Sequence, residues 1–215
     1  MQEAIAPHGT GGATGVCSIV YYNYCSGWIW IYSGFAAGDE AGVAYDLPVD
    51  CGKLPGETCT NTHFWWYWRY TAPGYGFTVT YNLYNLDGQL CKILPSLGTS
   101  TSDPVERWNL EAGLGAVGSI TSDDAAIIAT YNAGTLPYLA TDNNGKNYQA
   151  PLACPAYSVG GMHGMYWGGA LTQYCPPQYF GDGYGAVEIL ADAGFDCQPT
   201  STEDASWTGV KSLFR

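Results

Sequence analysis

The sequence predicts an all-β protein, an antiparallel β-sandwich of jelly-roll type stapled by disulfides. Three observations carry that expectation. The chain breaks into many strand-sized pieces whose apolar residues alternate with a period of two, separated by turn residues. Only 12% of its 215 residues are charged, while glycine (29), tyrosine (18) and tryptophan (8) are abundant, which suits short strands and tight turns better than long amphipathic helices. Eight cysteines, Cys17, Cys25, Cys51, Cys59, Cys91, Cys154, Cys175 and Cys197, form an even set, as a disulfide framework requires. Residues 1–15 read as a flexible N-terminal arm and residues 16–215 as a single sandwich domain.

In order along the chain, Val16 to Tyr24 alternates as a strand and Trp28 to Tyr32 follows, with Trp28, Trp30 and Tyr32 on one face and Ile29 and Ile31 on the other. Gly42 to Tyr45 is the third strand, ended by Asp46 and Pro48. The densest aromatic stretch is His63-Phe64-Trp65-Trp66-Tyr67-Trp68-Arg69-Tyr70. As a strand it sets Phe64, Trp66, Trp68 and Tyr70 against His63, Trp65, Tyr67 and Arg69, so both of its faces are aromatic. Either both faces are covered, or one is an outward platform. The turn Ala72 to Gly76 leads to Phe77–Tyr84, which reads as a hairpin partner of the aromatic strand. Asp87-Gly88 turns the chain back through Leu90, Cys91 and Ile93, and Pro95 to Pro104 reads as a loop.

Val105 to Leu110 fits either a strand or a helical turn. Ala125 to Tyr131 is the most apolar strand and should be buried on both faces. Leu136–Ala140 and Tyr148–Leu152 flank the hairpin signature Asp142-Asn143-Asn144-Gly145. A glycine-rich run from Gly160 to Gly169 precedes Pro176-Pro177, and Gly185 to Ala191 is the late strand. In the tail, Trp207, Val210 and Leu213 or Phe214 recur at the spacing of a short C-terminal helix.

Of the cysteines, Cys51 and Cys59 enclose a turn-rich loop and are the expected local pair, with Cys154–Cys175 next. Spacing alone does not fix the connectivity. There is no CxxC pair, and no histidine stands at zinc-ligand spacing from a cysteine. Disulfides imply an oxidising compartment, so a secreted, extracellular protein is expected. The N-terminus has neither a basic nor an apolar leader region, which points to a mature chain starting near Gln2 with Met1 added.

A net charge of −12 without a basic run excludes nucleic acid and anionic membrane as partners, and no apolar run reaches the length of a membrane span. Sugars present apolar C–H faces rimmed by hydroxyls, so exposed rings beside amides and carboxylates point to a poly- or oligosaccharide partner. The candidate rings are Trp65 and Tyr67, with Trp28 and Trp30 as a second row, and the polar candidates are Arg69, Asn82, Thr80 and Asp46. A glycoside hydrolase is the first alternative and needs a carboxylate pair, for which Glu188 with Glu106 or Glu111 are the candidates. In size, acidity and aromatic richness the chain is similar to small jelly-roll glycanases, but it carries none of their local motifs, so no catalytic residue transfers. Nor is there a GxSxG or HExxH motif. A subunit that self-associates through exposed rings or open sheet edges is the second alternative. No cofactor is implied, and Asp39, Glu40, Asp46, Asp123 and Asp124 are the candidates for a structural calcium.

Overall fold

The computed structural model describes residues 16–22, 30–32, 34–69, 78–102, 108–112, 114, 118–132, 138–141, 163–179 and 188–198; for residues 30–32, 69, 108–112 and 138 it describes the backbone alone. The strands are β1 (Cys17–Val20), β2 (Trp30–Tyr32), β3 (Glu40–Asp46), β4 (Thr58–Arg69), β5 (Val79–Leu86), β6 (Lys92–Ser102), β7 (Trp108–Ala112), β8 (Asp124–Tyr131), β9 (Tyr138–Thr141), β10 (Gly164–Gly168), β11 (Gln173–Tyr179) and β12 (Ala191–Gln198). One short helix, α1 (Leu47–Cys51), follows β3; Asp46 caps it by accepting from the Val49 N–H at 3.0 Å, and Gly52 ends it in the left-handed region at φ 68°.

The strands form two antiparallel sheets packed as a sandwich, as the alternation predicts. The first has the order β1-β12-β4-β9-β2, with β7 also paired to β4, and the second the order β11-β10-β3-β8-β5-β6. Between them lies one core in which Phe64, Trp66 and Trp68 of β4 meet Val79, Tyr81 and Leu83 of β5 and Val43 and Tyr45 of β3. Trp68 Nε1 donates to the Tyr81 hydroxyl at 2.8 Å, and Phe64 meets the Tyr81 ring edge-on at 4.9 Å. β4 and β5 therefore face one another across the core instead of pairing as the expected hairpin. Each has an apolar inner row too bulky for one sheet to cover, and stacking the rows buries both.

A second apolar cluster lies on the outer face of the second sheet, where Ala44, Tyr84, Leu86, Ala126, Ile128, Met165 and Trp167 gather with Leu90. The β5–β6 turn roofs it. Asp87 Oδ1 accepts from the Gln89 and Cys91 N–H groups at 2.9 Å, Trp167 Nε1 donates to the Leu90 carbonyl at 3.1 Å, and Cys91 is bonded to Cys175 of β11. This second cover explains why Ala126 to Ala129 are buried on both faces, as expected.

The disulfides correct the expected pairing. Cys17 joins Cys51, Cys59 joins Cys197 and Cys91 joins Cys175, so neither Cys51–Cys59 nor Cys154–Cys175 forms. Cys25 and Cys154 lie outside the described residues. Each bridge ties neighbours in space that are distant in sequence, 34, 138 and 84 residues apart.

Residues 95–102 and the late strand correct the expectation. Residues 95–102, expected as a loop, belong to β6, which lies at a sheet edge where Pro95 interrupts no ladder and Thr99 and Thr101 pair with Asn82 and Thr80. The glycine-rich run contains β10, in which Gly168 adopts φ 113° at a bulge. The late strand runs Ala191–Gln198; of the expected Gly185–Ala191, residues 185–187 lie outside the described residues and Ile189 makes an isolated bridge to Thr141. Ala191 and Ala193 are small because they pair inward beside Trp66 and Phe64. Residues 108–112 are strand rather than helix. The segments Tyr148–Leu152 and Asp142–Gly145 and the C-terminal tail lie outside the described residues.

Candidate functional site

The site is built on β4, whose two faces have different fates. Phe64 is 1% exposed and Trp66 and Trp68 are fully buried, while Trp65 and Tyr67, on the opposite face, remain partly exposed. Directly paired residues of antiparallel strands share a face, so the register defines the outer row. Trp65 pairs with Asp192 of β12 and with Leu110 of β7, and Tyr67 pairs with Trp108. Asp192 in turn pairs with Val20 of β1. Two residue pairs along, on the same face, Gly194 pairs with His63, and a Cβ at Gly194 would come within 2.3 Å of the His63 ring, so glycine lets the imidazole lie across β12. His63 Nδ1 stands 3.0 Å from Thr62 Oγ1, which fixes the ring to the strand.

Asp192 is the polar member of this row. Burial pushes its carboxyl up to about 7, opposed by a hydrogen bond from the Trp65 backbone N–H. Its Oδ1 atom is shielded from solvent and finds no partner. Aspartate is disfavoured in strands and an unpaired buried oxygen is costly, so the fold tolerates an expense at this position.

A second polar cluster lies at one end of the sandwich. Glu188, fully buried, accepts from the backbone N–H groups of His163 and Gly164 at 3.1 and 3.0 Å, and its Oε1 lies 3.1 Å from His163 Nδ1. The His163 ring stacks on Tyr21 with centroids 3.4 Å apart, and the Tyr21 hydroxyl donates to Asp50. Burial pushes the Tyr21 phenol well above its usual range, with the Asp50 charge acting the same way, and burial also raises the Asp50 carboxyl. Every bond of this network is internal, and its effect is to hold the start of β10 and α1 together.

Compared with family models and with curated proteins, the chain matches none.

The structure gathers some of the sequence-predicted residues and separates others. Trp65 and Tyr67 share the outer face of the first sheet. Asn82 lies on the other sheet, where it donates to Thr130, accepts from Thr99 and stands beside the linked Thr80 and Thr101 hydroxyls. Trp30 pairs with Thr141 and Tyr32 with Leu139, in the register row of Trp68 and not in that of Trp65. Arg69 pairs with Tyr138, and Glu111 pairs with Phe64. Trp28 and Glu106 lie outside the described residues. Four of the five acidic residues proposed for calcium have protein partners in the fold: Asp39 accepts from Tyr166 and the Ala36 N–H, Glu40 binds Lys92, Asp46 caps α1 and Asp123 binds Lys53, while burial and the charges of Asp46 and Asp123 raise the carboxyl of Asp124. Among the described residues no group of three ligating side chains converges.

Sequence reasoning missed Asp192 and the Tyr21–His163 stack. The first had a signal, because Ala191-Asp192-Ala193 places one acid between two small residues at the two-residue period of a strand. The second joins β1 to the start of β10, a contact across the fold that no local pattern encodes.

Proposed function

We propose that this is a secreted carbohydrate-binding protein that recognises glycan through the aromatic row on the outer face of the first sheet. The observation that carries the reading is the division of β4: three rings are spent on the core while Trp65 and Tyr67 keep exposed surface on a broad sheet face. Large rings retained at the surface beside polar groups suit the C–H faces and hydroxyl rims of sugars. Three disulfides among the described residues, and no helix there long and apolar enough to cross a membrane, support an oxidising extracellular setting.

The edges weigh against assembly by strand addition. β1 has 4 residues, Pro95 sits in β6, and Pro176 and Pro177 sit in β11, which are the usual ways of blunting a sheet edge. Glu188 has its carboxylate enclosed and occupied, so in a hydrolase it would act through His163 and not on the glycosidic bond.

The test is co-sedimentation with insoluble polysaccharides, read for bound protein and for released sugar ends. Wild-type protein should bind without releasing sugar, and Trp65→Ala or Tyr67→Ala should weaken binding about tenfold or more. Full binding by both variants would contradict the reading.

A further inference from the structure

Resting on that glycan reading, we infer that the ligand is a neutral glycan and that Asp192 is the residue that accepts its hydroxyl beside the Trp65 ring. Asp192 is the direct register partner of Trp65 on the same sheet face, a placement that sets side chains about 5 Å apart at their Cβ atoms. A sugar lying on the indole would bring an equatorial hydroxyl from its rim to the neighbouring strand.

The carboxyl is short of donors. It receives the Trp65 N–H, while Oδ1 has no partner although it is shielded from water. A carboxylate offers about four acceptor positions, and an unfilled one in a dry setting gains most from an incoming donor. Asp192 as a residue is only partly buried, and a half-turn about χ2 exchanges its two oxygens.

Charge selects among ligands that could donate. The neighbours of Asp192 are Ser18 and Val20 on β1, His63 and Trp65 on β4, Asp196 farther along its own strand and, from beneath the sheet, Tyr45, whose phenol is raised by burial and by the charges of Asp192 and Glu188. Among the described side chains no lysine or arginine stands in this set, and Lys53 and Lys92 are committed to Asp123 and Glu40. With a net charge of −12, the face repels uronates and sulfated chains. A neutral chain meets no such repulsion and carries the hydroxyl donors that the unfilled acceptor needs, which points to uncharged hexose or pentose polymers.

Affinity electrophoresis through gels containing a neutral glucan, a neutral xylan or pectate tests the inference, with wild type, Trp65→Ala, Asp192→Ala and the isosteric Asp192→Asn. Circular dichroism of each variant verifies folding. Wild type should be retarded by a neutral polymer and not by pectate beyond its mobility in an empty gel. Asp192→Ala should lose about tenfold in affinity, the cost of one hydrogen bond to a charged or buried acceptor, with Asp192→Asn intermediate. If Trp65→Ala abolishes retardation while both Asp192 variants behave as wild type, the role of Asp192 is overturned and the glycan reading stands. Retardation by pectate alone overturns the neutral assignment. No retardation by any polymer overturns the glycan reading itself.

Discussion

Trp65 and Trp66 are adjacent in sequence and identical in chemistry, yet one is fully buried and the other meets solvent. Strand periodicity predicts that they separate, but which face turns inward depends on the partner sheet, which no local window contains. Glu188 is the reverse case. Its setting between Val187 and Ile189 marks it as unusual in the sequence, but its role is to hold His163 and Gly164, a partnership 25 and 24 residues away. Asp192 gives a prediction at this scale. Its folded-state value of about 7 lies above the roughly 3.9 of an unfolded aspartate, so the folded protein retains the proton longer. The stability from this group is complete below about pH 4 and is lost as pH rises through about 7. Asp192→Asn should therefore raise the Tm relative to wild type by a few degrees at pH 8 and change it little at pH 4.5, measured by thermal denaturation of both proteins at each pH. An equal shift at both pH values would show that the carboxyl does not titrate as described.

At the level of elements, β5 was readable from its alternation of apolar and polar residues, β8 from its apolar run, and β3 and β4 from apolar and aromatic runs bounded by turn residues. Those obscured were β6, whose Ser, Thr and Gly suit an exposed edge as well as a loop, and β12, whose inward Ala191 and Ala193 carry no hydrophobic signal of their own. Small residues there are the counterpart of Trp66 and Phe64, and the pairing is visible only once β4 lies beside them. The β5–β6 turn has a mechanical role. It covers the second apolar cluster and is fastened by Cys91–Cys175 and by the Lys92–Glu40 pair. Replacing both Cys91 and Cys175 by serine should destabilise the fold by about 2–4 kcal/mol and increase binding of a hydrophobic dye, measured by denaturant unfolding. An unchanged midpoint would mean that the turn holds its place without the bridge.

Across the whole molecule, composition sufficed for the sandwich because few charges, many glycines and many rings cannot cover a set of long helices. Connectivity was another matter. The chain passes repeatedly from one sheet to the other, so neighbours in space come from distant segments, and the three bridges span those separations rather than the local loops that spacing suggests. The same passage divides the predicted site, setting Asn82 on one sheet and Trp65 with Tyr67 on the other. What remains together is an aromatic row with one acid in it, on a strongly acidic molecule, and the account of function rests on that row. Oxidative footprinting of the wild-type protein with and without a soluble neutral polysaccharide tests it most directly. The account predicts protection of Trp65 and Tyr67 by the ligand, with Trp66 and Trp68 unreactive in both states. Undiminished oxidation of Trp65 and Tyr67 at saturating ligand would contradict it.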